Sequence, residues 1–433
     1  MIKWEYKLLQ DICKYVQYGY TASATHDPIG PKFLRITDIV NDYINWDNVP
    51  FCEIEPEKKS KYLLKQGDIV VARTGATTGY AKYIKILPES VFASYLVRLR
   101  LIDEVDSRYV GYIIESDVYK DFIKTNWSGA AQPNANAKIL TSFHIPLPPY
   151  PNQQKITAIL SAYDDLIENN LRRIKILEEM AQNLYREWFV NFRFPGHEDT
   201  CFVESPLGKI PEAWEVRKLQ DVLELKYGKT LKKGDRLGGD VPVYGSSGVV
   251  GYHNNYLVKG PGIIVGRKGN VGSVFWSNED FYPIDTVYYV SSKLPLRFLY
   301  YELQNKNFIN NDAAVPGLNR NQAYSLELVV PTESILSKFC RIADDFERQA
   351  YILEKKNITL RQTRDLLLPK LISGEVDVSE LDIKVPKEVS FDFMQGPPLE
   401  GQYRARIHPP RRILAWGGGD RGFGGEWYSF FAN

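Results

Sequence analysis

The chain has 433 residues, 44% of them apolar and 25% charged, with a net charge of +1. That is the balance of an ordinary soluble protein of two or three domains, and it excludes a chain that is basic as a whole, so any nucleic-acid surface has to be local. No apolar run reaches the roughly eighteen residues of a membrane helix, and the charged N-terminus MIKWEYKLLQDICKY has no signal-peptide core, so the expected compartment is the cytoplasm. The four cysteines and five histidines are scattered, with no C-x-x-C pair. Neither a disulfide framework nor a metal site is signalled.

Residues 1–150 alternate short Val/Ile/Tyr-rich runs with Gly and Pro turns, which predicts a strand-rich α/β domain with helical pieces at 107–125. From Asn152 to Phe192 there is neither Gly nor Pro. Leu160, Tyr163, Ile167, Ile174, Leu177, Ala181, Leu184 and Trp188 recur at spacings of three and four, interrupted at Asn170. This heptad seam predicts one helix over 151–194, about 60 Å long, whose apolar stripe faces another helix. A polar seam residue such as Asn170 either fixes register or is a plain defect. A Pro/Gly-containing polar linker occupies 195–214, and a second strand-rich unit reaches 331, with a helical piece at 295–309. A second long helix is predicted over 332–375, ending near Pro369 or Gly374. In it Phe339, Phe346, Leu353, Leu360 and Leu367 recur every seventh residue. Gln349, Lys356 and Thr363 are read as its alternate seam positions, which leaves an apolar flank to offer another protein. Residues 376–433 read as a disordered tail from their Pro and Gly content. Its RARIHPPRR run suits contact with nucleic acid, and an incidental extension or translated frame-shifted sequence explains it at least as well.

The two halves repeat. Trp4, Gln10–Asp11, Gly19 and Thr21 match Trp214, Gln220–Asp221, Gly228 and Thr230. GDIVVARTGATTG (67–79) matches GIIVGRKGNVG (262–272), and Asn134-Ala-Asn136 is paired with Asn319-Arg-Asn321. Asp164–Asp165 matches Asp344–Asp345. Landmarks in the same order imply an internal duplication. The expected fold is α+β: two strand-rich α/β domains in tandem, separated by two long helices packed as an antiparallel coiled coil.

The segment PLPPYPNQQKITAILSAYDDLIENNLRRIKILEEMAQNLYREWFVNF, the phrase GDIVVARTG and the later RDLLLPKLISGEVDV resemble the specificity subunit of type I restriction–modification systems, over about residues 1–380. The resemblance implies a non-catalytic subunit whose two target-recognition domains each read half of a bipartite site in double-stranded DNA, spaced by the coiled coil. It implies two modification (methyltransferase) subunits and restriction (motor and nuclease) subunits as partners. It implies no cofactor on this chain, with S-adenosylmethionine, ATP and Mg on the partners. Two other classes stay open. One is a DNA methyltransferase with its own recognition domain, although GKT at 228–230, TGATTG and LPPY at 147–150 all miss the spacing or residue that phosphate, dinucleotide or methyltransferase motifs require. The other is a coiled-coil adaptor.

Candidate DNA contacts follow from chemistry and place. Arg73 and Thr74, and in the second unit Arg267, Lys268 and Asn270, follow a strand in a glycine-rich turn. Arginine suits guanine edges and phosphate, and glycine permits close backbone approach; a structural hairpin explains them nearly as well. Gln132, Asn134, Asn319 and Arg320 lie beside the long helices, where amides read adenine or cap helices. Lys229, Thr230, Lys232 and Lys233 form a basic cluster suited to phosphate. Tyr18, Tyr20 and Thr21 take the matching place in the first unit. Ser246 and Ser247 lie in a Gly-rich stretch of the second.

Overall fold

The structure, a computed structural model, describes residues 4–41, 43–85, 87–126, 135–236, 238–308 and 317–385. The first head contains β1 (Glu5–Leu8), β2 (Cys13–Tyr18), β3 (Lys32–Leu34), α1 (Pro56–Tyr62), β4 (Ile69–Ala72), β5 (Ala81–Tyr83), β6 (Ser90–Phe92), β7 (Leu96–Leu101), α2 (Ser107–Glu115), α3 (Asp117–Asn126), α4 (Ala137–Thr141) and β8 (His144–Leu147). Helix α5 (Tyr150–Tyr185) follows and ends in one wider turn, Arg186–Val190. The linker folds into a hairpin of β9 (Phe202–Ser205) and β10 (Gly208–Pro211). The second head contains β11 (Glu215–Lys218), α6 (Leu219–Val222), β12 (Leu223–Tyr227), β13 (Val241–Gly245), β14 (Gly248–His253), β15 (Gly262–Gly266), β16 (Val274–Ser277), β17 (Tyr282–Pro283), β18 (Val287–Ser292), α7 (Leu296–Gln304), α8 (Arg320–Ser325) and β19 (Glu327–Val330). Helix α9 (Glu333–Ile372) closes the series.

The duplication is visible in strand order. The main sheet of the first head runs β2-β7-β4-β5 and that of the second β12-β18-β15-β16, each with only antiparallel neighbours. Each head is anchored by a two-stranded ribbon that joins its first strand to its last, β1 with β8 and β11 with β19. Inward-facing Ile69, Val71, Val97 and Leu99 in one head, and Ile263, Val265, Tyr288 and Val290 in the other, supply the apolar faces. Both faces of the central strands are buried, and alternate residues enter different cores: Val70 and Ala72 pack with Leu34, Phe92 and Leu96, and Ile264 with Tyr244 and Val287.

Helices α5 and α9 pack against each other antiparallel. Ile156 and Leu160, near the start of α5, share a core with Leu371 at the end of α9 and with the first head. Tyr185, Trp188 and Phe189 share one with Phe339 and Ala343 near the start of α9 and with the second head. Ile174 packs midway against Ala350 and Leu353. The seam of α9 therefore runs Phe339, Ala343, Phe346, Ala350, Leu353, Asn357, Leu360, Arg364, Leu367, Leu371. This corrects the alternate positions read from sequence: Gln349 and Lys356 are exposed, and the Thr363 hydroxyl donates back to the Thr359 carbonyl. Alanine at the alternate positions lets the helices approach opposite bulky Leu177 and Leu184, so the seam steps four from Phe339 where three was expected.

Asn170 is buried, and its Nδ2 donates to Oδ1 of buried Asn357 at 2.8 Å. The polar break in one helix thus answers a polar break in the other. Pro369 is accommodated inside the last turns of α9, and Gly374 terminates it in the left-handed region at φ 74°. The chain stays packed past residue 375. Val378 is completely buried, Lys155 Nζ donates to the Ser379 carbonyl at 2.7 Å, and Asn152 donates to the Ser379 hydroxyl at 2.8 Å. The part of the tail from 386 onward, RARIHPPRR included, lies outside the described residues.

Replacing Asn170 alone by Leu strands the Asn357 amide in the seam, a cost of about 1–3 kcal/mol. Replacing both by Leu restores that stability but removes the hydrogen bond that selects this register. Thermal unfolding of the two variants, with the double variant melting above the single, is the expected result.

Candidate nucleic-acid interface

In the second head, β15 ends at Gly266 and the chain turns through Gly269 and Gly272, both at positive φ. Arg267 leaves this turn with its guanidinium over the rings of Tyr227 (5.0 Å) and Tyr288 (5.8 Å), and its Nη1 donates to the Asp285 carbonyl at 3.1 Å. Arg320, first residue of α8, also lies over Tyr227, at 5.4 Å. Two cations thus share one ring that is itself 51% exposed. Desolvation by burial, with the Tyr227 hydroxyl nearby, pushes the Tyr288 hydroxyl up to about 12, so it stays protonated near neutrality. Lys268 and Asn270 are exposed on the turn.

Neighbouring loops converge on this turn. The β13–β14 hairpin tip carries Ser246 and Ser247, and the Ser273 hydroxyl donates to the Ser246 carbonyl at 2.8 Å. The segment holding Lys229, Thr230, Lys232 and Lys233, all exposed, is pinned by the Lys229 N–H to the Pro283 carbonyl (3.0 Å) and by Arg236 to the Val250 carbonyl (2.8 Å). The structure therefore brings Lys229–Lys233, Ser246–Ser247, Arg267–Asn270 and Arg320 to one surface. Asn319 is used locally: its side chain caps α8 by accepting from the N–H groups of Asn321 and Gln322.

The first head repeats the arrangement with fewer cations. Arg73 lies over Tyr18 at 4.8 Å, and the Tyr18 hydroxyl accepts from the Ala137 N–H at 2.9 Å. Tyr20 packs half-buried on Tyr62, Thr21 is exposed, and Thr74 is half-buried at the turn. Gln132 and Asn134 lie outside the described residues. Exposed Tyr95, whose carbonyl accepts from the Arg73 N–H, and exposed Tyr252 beside the Lys-rich loop belong to no repeated motif. In one sequence an exposed tyrosine looks like a buried one, so nothing marks them.

Backbone hydrogen bonds give the true correspondence between repeats. The Arg73 carbonyl accepts from Ala135, and the Arg267 carbonyl from Leu318, both at 2.8 Å. The next residues, Asn136 and Asn319, each cap a short helix. Asn136 is thus the counterpart of Asn319, a shift of two from the pairing read in sequence, because a cap must sit just outside its helix and Asn321 is inside. Gly19 and Gly228 also correspond. A Cβ on either would lie 2.2 Å from the Ala93 carbonyl oxygen or 2.1 Å from that of Ile284. Among the described residues, no group of three or more His, Cys, Asp or Glu side chains could hold a metal ion, and no helix is long and apolar enough to cross a membrane.

Fold and surface together define a tandem-repeat protein whose two heads, each with its own Arg–Tyr–glycine turn, ride on one antiparallel coiled coil. The type I restriction modification DNA specificity domain matches residues 1–179 and 211–362, most of both repeats. The chain belongs to this family: it is a specificity subunit, the non-catalytic, DNA-recognising component of a type I restriction–modification system. It is 25% identical to the MjaIX specificity subunit of Methanocaldococcus jannaschii, over 64% of this chain and 71% of that one. It is 22% identical to the HindI specificity subunit of Haemophilus influenzae, over 87% of this chain and all of that one. The chain spans 59% of the length of a further relative, the MjaVIII specificity subunit of Methanocaldococcus jannaschii. The S subunit of M. genitalium shares its fold, with a TM-score of 0.55 at 17% identity over 86% of this chain and 96% of that one.

Gly228→Ala forces backbone or strand movement at a close approach with no room for a methyl group. Overpacking of this kind costs about 1–3 kcal/mol. Denaturant unfolding should show this loss for Gly228→Ala and Gly19→Ala, and little change for exposed Gly234→Ala, whose Cβ would meet nothing within 4 Å.

Proposed function

We propose that this chain recognises a bipartite site in double-stranded DNA, one half-site per head, and directs adenine methylation and restriction carried out by partner subunits. The observation that carries this reading is the duplicated Arg–Tyr–glycine turn, one copy per head, on a rigid antiparallel rod. Two readers on one spacer measure a fixed separation, because half-site spacing is geometric. In this reading Lys229, Lys232 and Lys233 meet phosphates and fix position, while Arg73, Thr74, Arg267, Lys268, Asn270 and Arg320 reach base edges or the adjoining backbone. Tyr18, Tyr20, Thr21, Ser246 and Ser247 border them. The first head has fewer cations around its turn than the second, so the two half-sites differ.

Two modification subunits dock on the coiled coil in this reading. In this reading they pack over the exposed Leu166, Ile176, Met180, Ile352, Ile358 and Leu366 of α5 and α9. S-adenosylmethionine, ATP and Mg belong to the modification and restriction subunits, and this chain works in the cytoplasm beside its DNA.

Methylation mapping of DNA modified by the chain together with its modification subunits should return a two-part motif with a spacer of one length. Methylation by this chain alone would overturn the reading in favour of a self-contained methyltransferase. An unchanged methylation pattern when the chain is exchanged for another specificity subunit would favour a mere adaptor. Separately, Lys232→Ala/Lys233→Ala should weaken DNA binding equally for all sequences. It should flatten the slope of log K against log salt by about 0.9 for each phosphate no longer neutralised. Titration of binding at several salt concentrations checks this.

A further inference from the structure

Both heads grip the rod through the same two side chains. Arg108 and Arg297 are each the second residue of the first helix after the main sheet, and Tyr112 and Tyr301 follow one turn later. In the first head the Tyr112 hydroxyl donates to Asp164, and Arg108 Nη2 lies 3.9 Å from Asp164 and 3.8 Å from Asp165. In the second the Tyr301 hydroxyl donates to Glu347, and Arg297 Nε donates to Asp344 at 2.8 Å. The Arg297 side chain is only 6% exposed, and its guanidinium lies 3.7 Å from the Trp276 ring.

A second tether recurs at one place in each head, two residues past the edge strand. Lys85 Nζ reaches Asp165 at 2.6 Å and Glu168 at 3.2 Å. Glu279 accepts from Tyr351 and lies 2.5 Å from Lys355 Nζ. The polarity is reversed, but the position is shared. Between these tethers, heads and rod meet mainly through apolar packing, which has little directional preference, with the Tyr185 hydroxyl donating to Glu302 and the Asp106 N–H to Gln153 as further polar contacts. Charge-assisted hydrogen bonds are directional. Two tethers therefore restrict how each head can turn on the helices.

We propose that this duplicated latch sets the angle of each head on the rod, which makes Arg108, Tyr112, Arg297 and Tyr301 positioning residues for spacer selectivity. The inference rests on the two-part site proposed above. A rod of fixed length sets distance alone. On B-DNA, each added base pair also rotates one half-site about the axis by roughly a tenth of a turn. Heads free to turn would tolerate such a change; latched heads reject it.

The test uses the full chain in complex with its modification subunits. Duplexes carry both mapped half-sites with the mapped spacer, or with one base pair more or fewer. Arg297→Gln, Asp344→Asn and Tyr301→Phe should each relax the preference for the mapped spacer, by roughly tenfold. Rejection of altered half-site bases should be as in the unmodified chain. The double variant Arg297→Gln/Asp344→Asn should match Arg297→Gln alone, because Asp344 acts through the arginine, which also lies 3.7 Å from Glu347. Tyr301→Phe keeps the ring in its core and deletes only the hydroxyl, so it stays folded if the charge variants do not. Distances between spin labels at exposed Asn255 on the head and Lys175 on the rod should broaden in all variants. Unchanged spacer preference or unchanged label distances overturn the latch. If the unmodified complex itself shows no spacer preference, the two-part reading fails, and broadened label distances alone still establish the latch.

Discussion

The antiparallel seam of α5 and α9, closed at its middle by the Asn170–Asn357 amide pair, is the constraint on which the rest of this structure depends. Apolar seams can slide by a heptad with little penalty, whereas a buried amide has to find its partner. Here the register that pairs the two asparagines also places Trp188 beside Phe339, and Leu160 in one core with Leu371. Each head then rests on the start of one helix and the end of the other. A slip would pull apart two head cores as well as the rod.

This explains why the heads are so alike in strand order while their surfaces differ. The shared features are those that seat a head: the end ribbon, the close-approach glycines Gly19 and Gly228, the capped short helix, and the arginine and tyrosine facing the rod acids. The differing features lie around the turn that follows the central strand. One head presents a single arginine over Tyr18; the other presents two over Tyr227, with a lysine-rich loop pinned alongside. A scaffold that is held constant leaves loops free to vary in what they touch.

Much of the architecture was legible in the chain. Periodic apolar residues announced both long helices, and repeated Trp, Gly and Asp landmarks announced the duplication, because each signal is local or recurs at a fixed interval. The alternate seam of α9 was misread because Ala343 and Ala350 are weak apolar markers beside Gln349 and Lys356. The asparagine pairing slipped by two because each repeat offers two asparagines two residues apart and only a helix start selects one. Of the candidate surface, the cation positions were legible as motifs. Their convergence was not, since Arg267, Tyr227 and Arg320 meet only when strand, turn and helix have packed.

The sequence by itself determined two strand-rich repeats, two heptad helices and the residue types suited to a DNA surface. These follow from backbone periodicity and turn chemistry, which act over a few residues. The tertiary structure alone decided that Asn170 answers Asn357 across 187 residues, and that Arg297 reaches Asp344 across 47. It also decided which arginines share a tyrosine ring. Such pairings depend on where packed elements bring distant side chains, and no local preference encodes that.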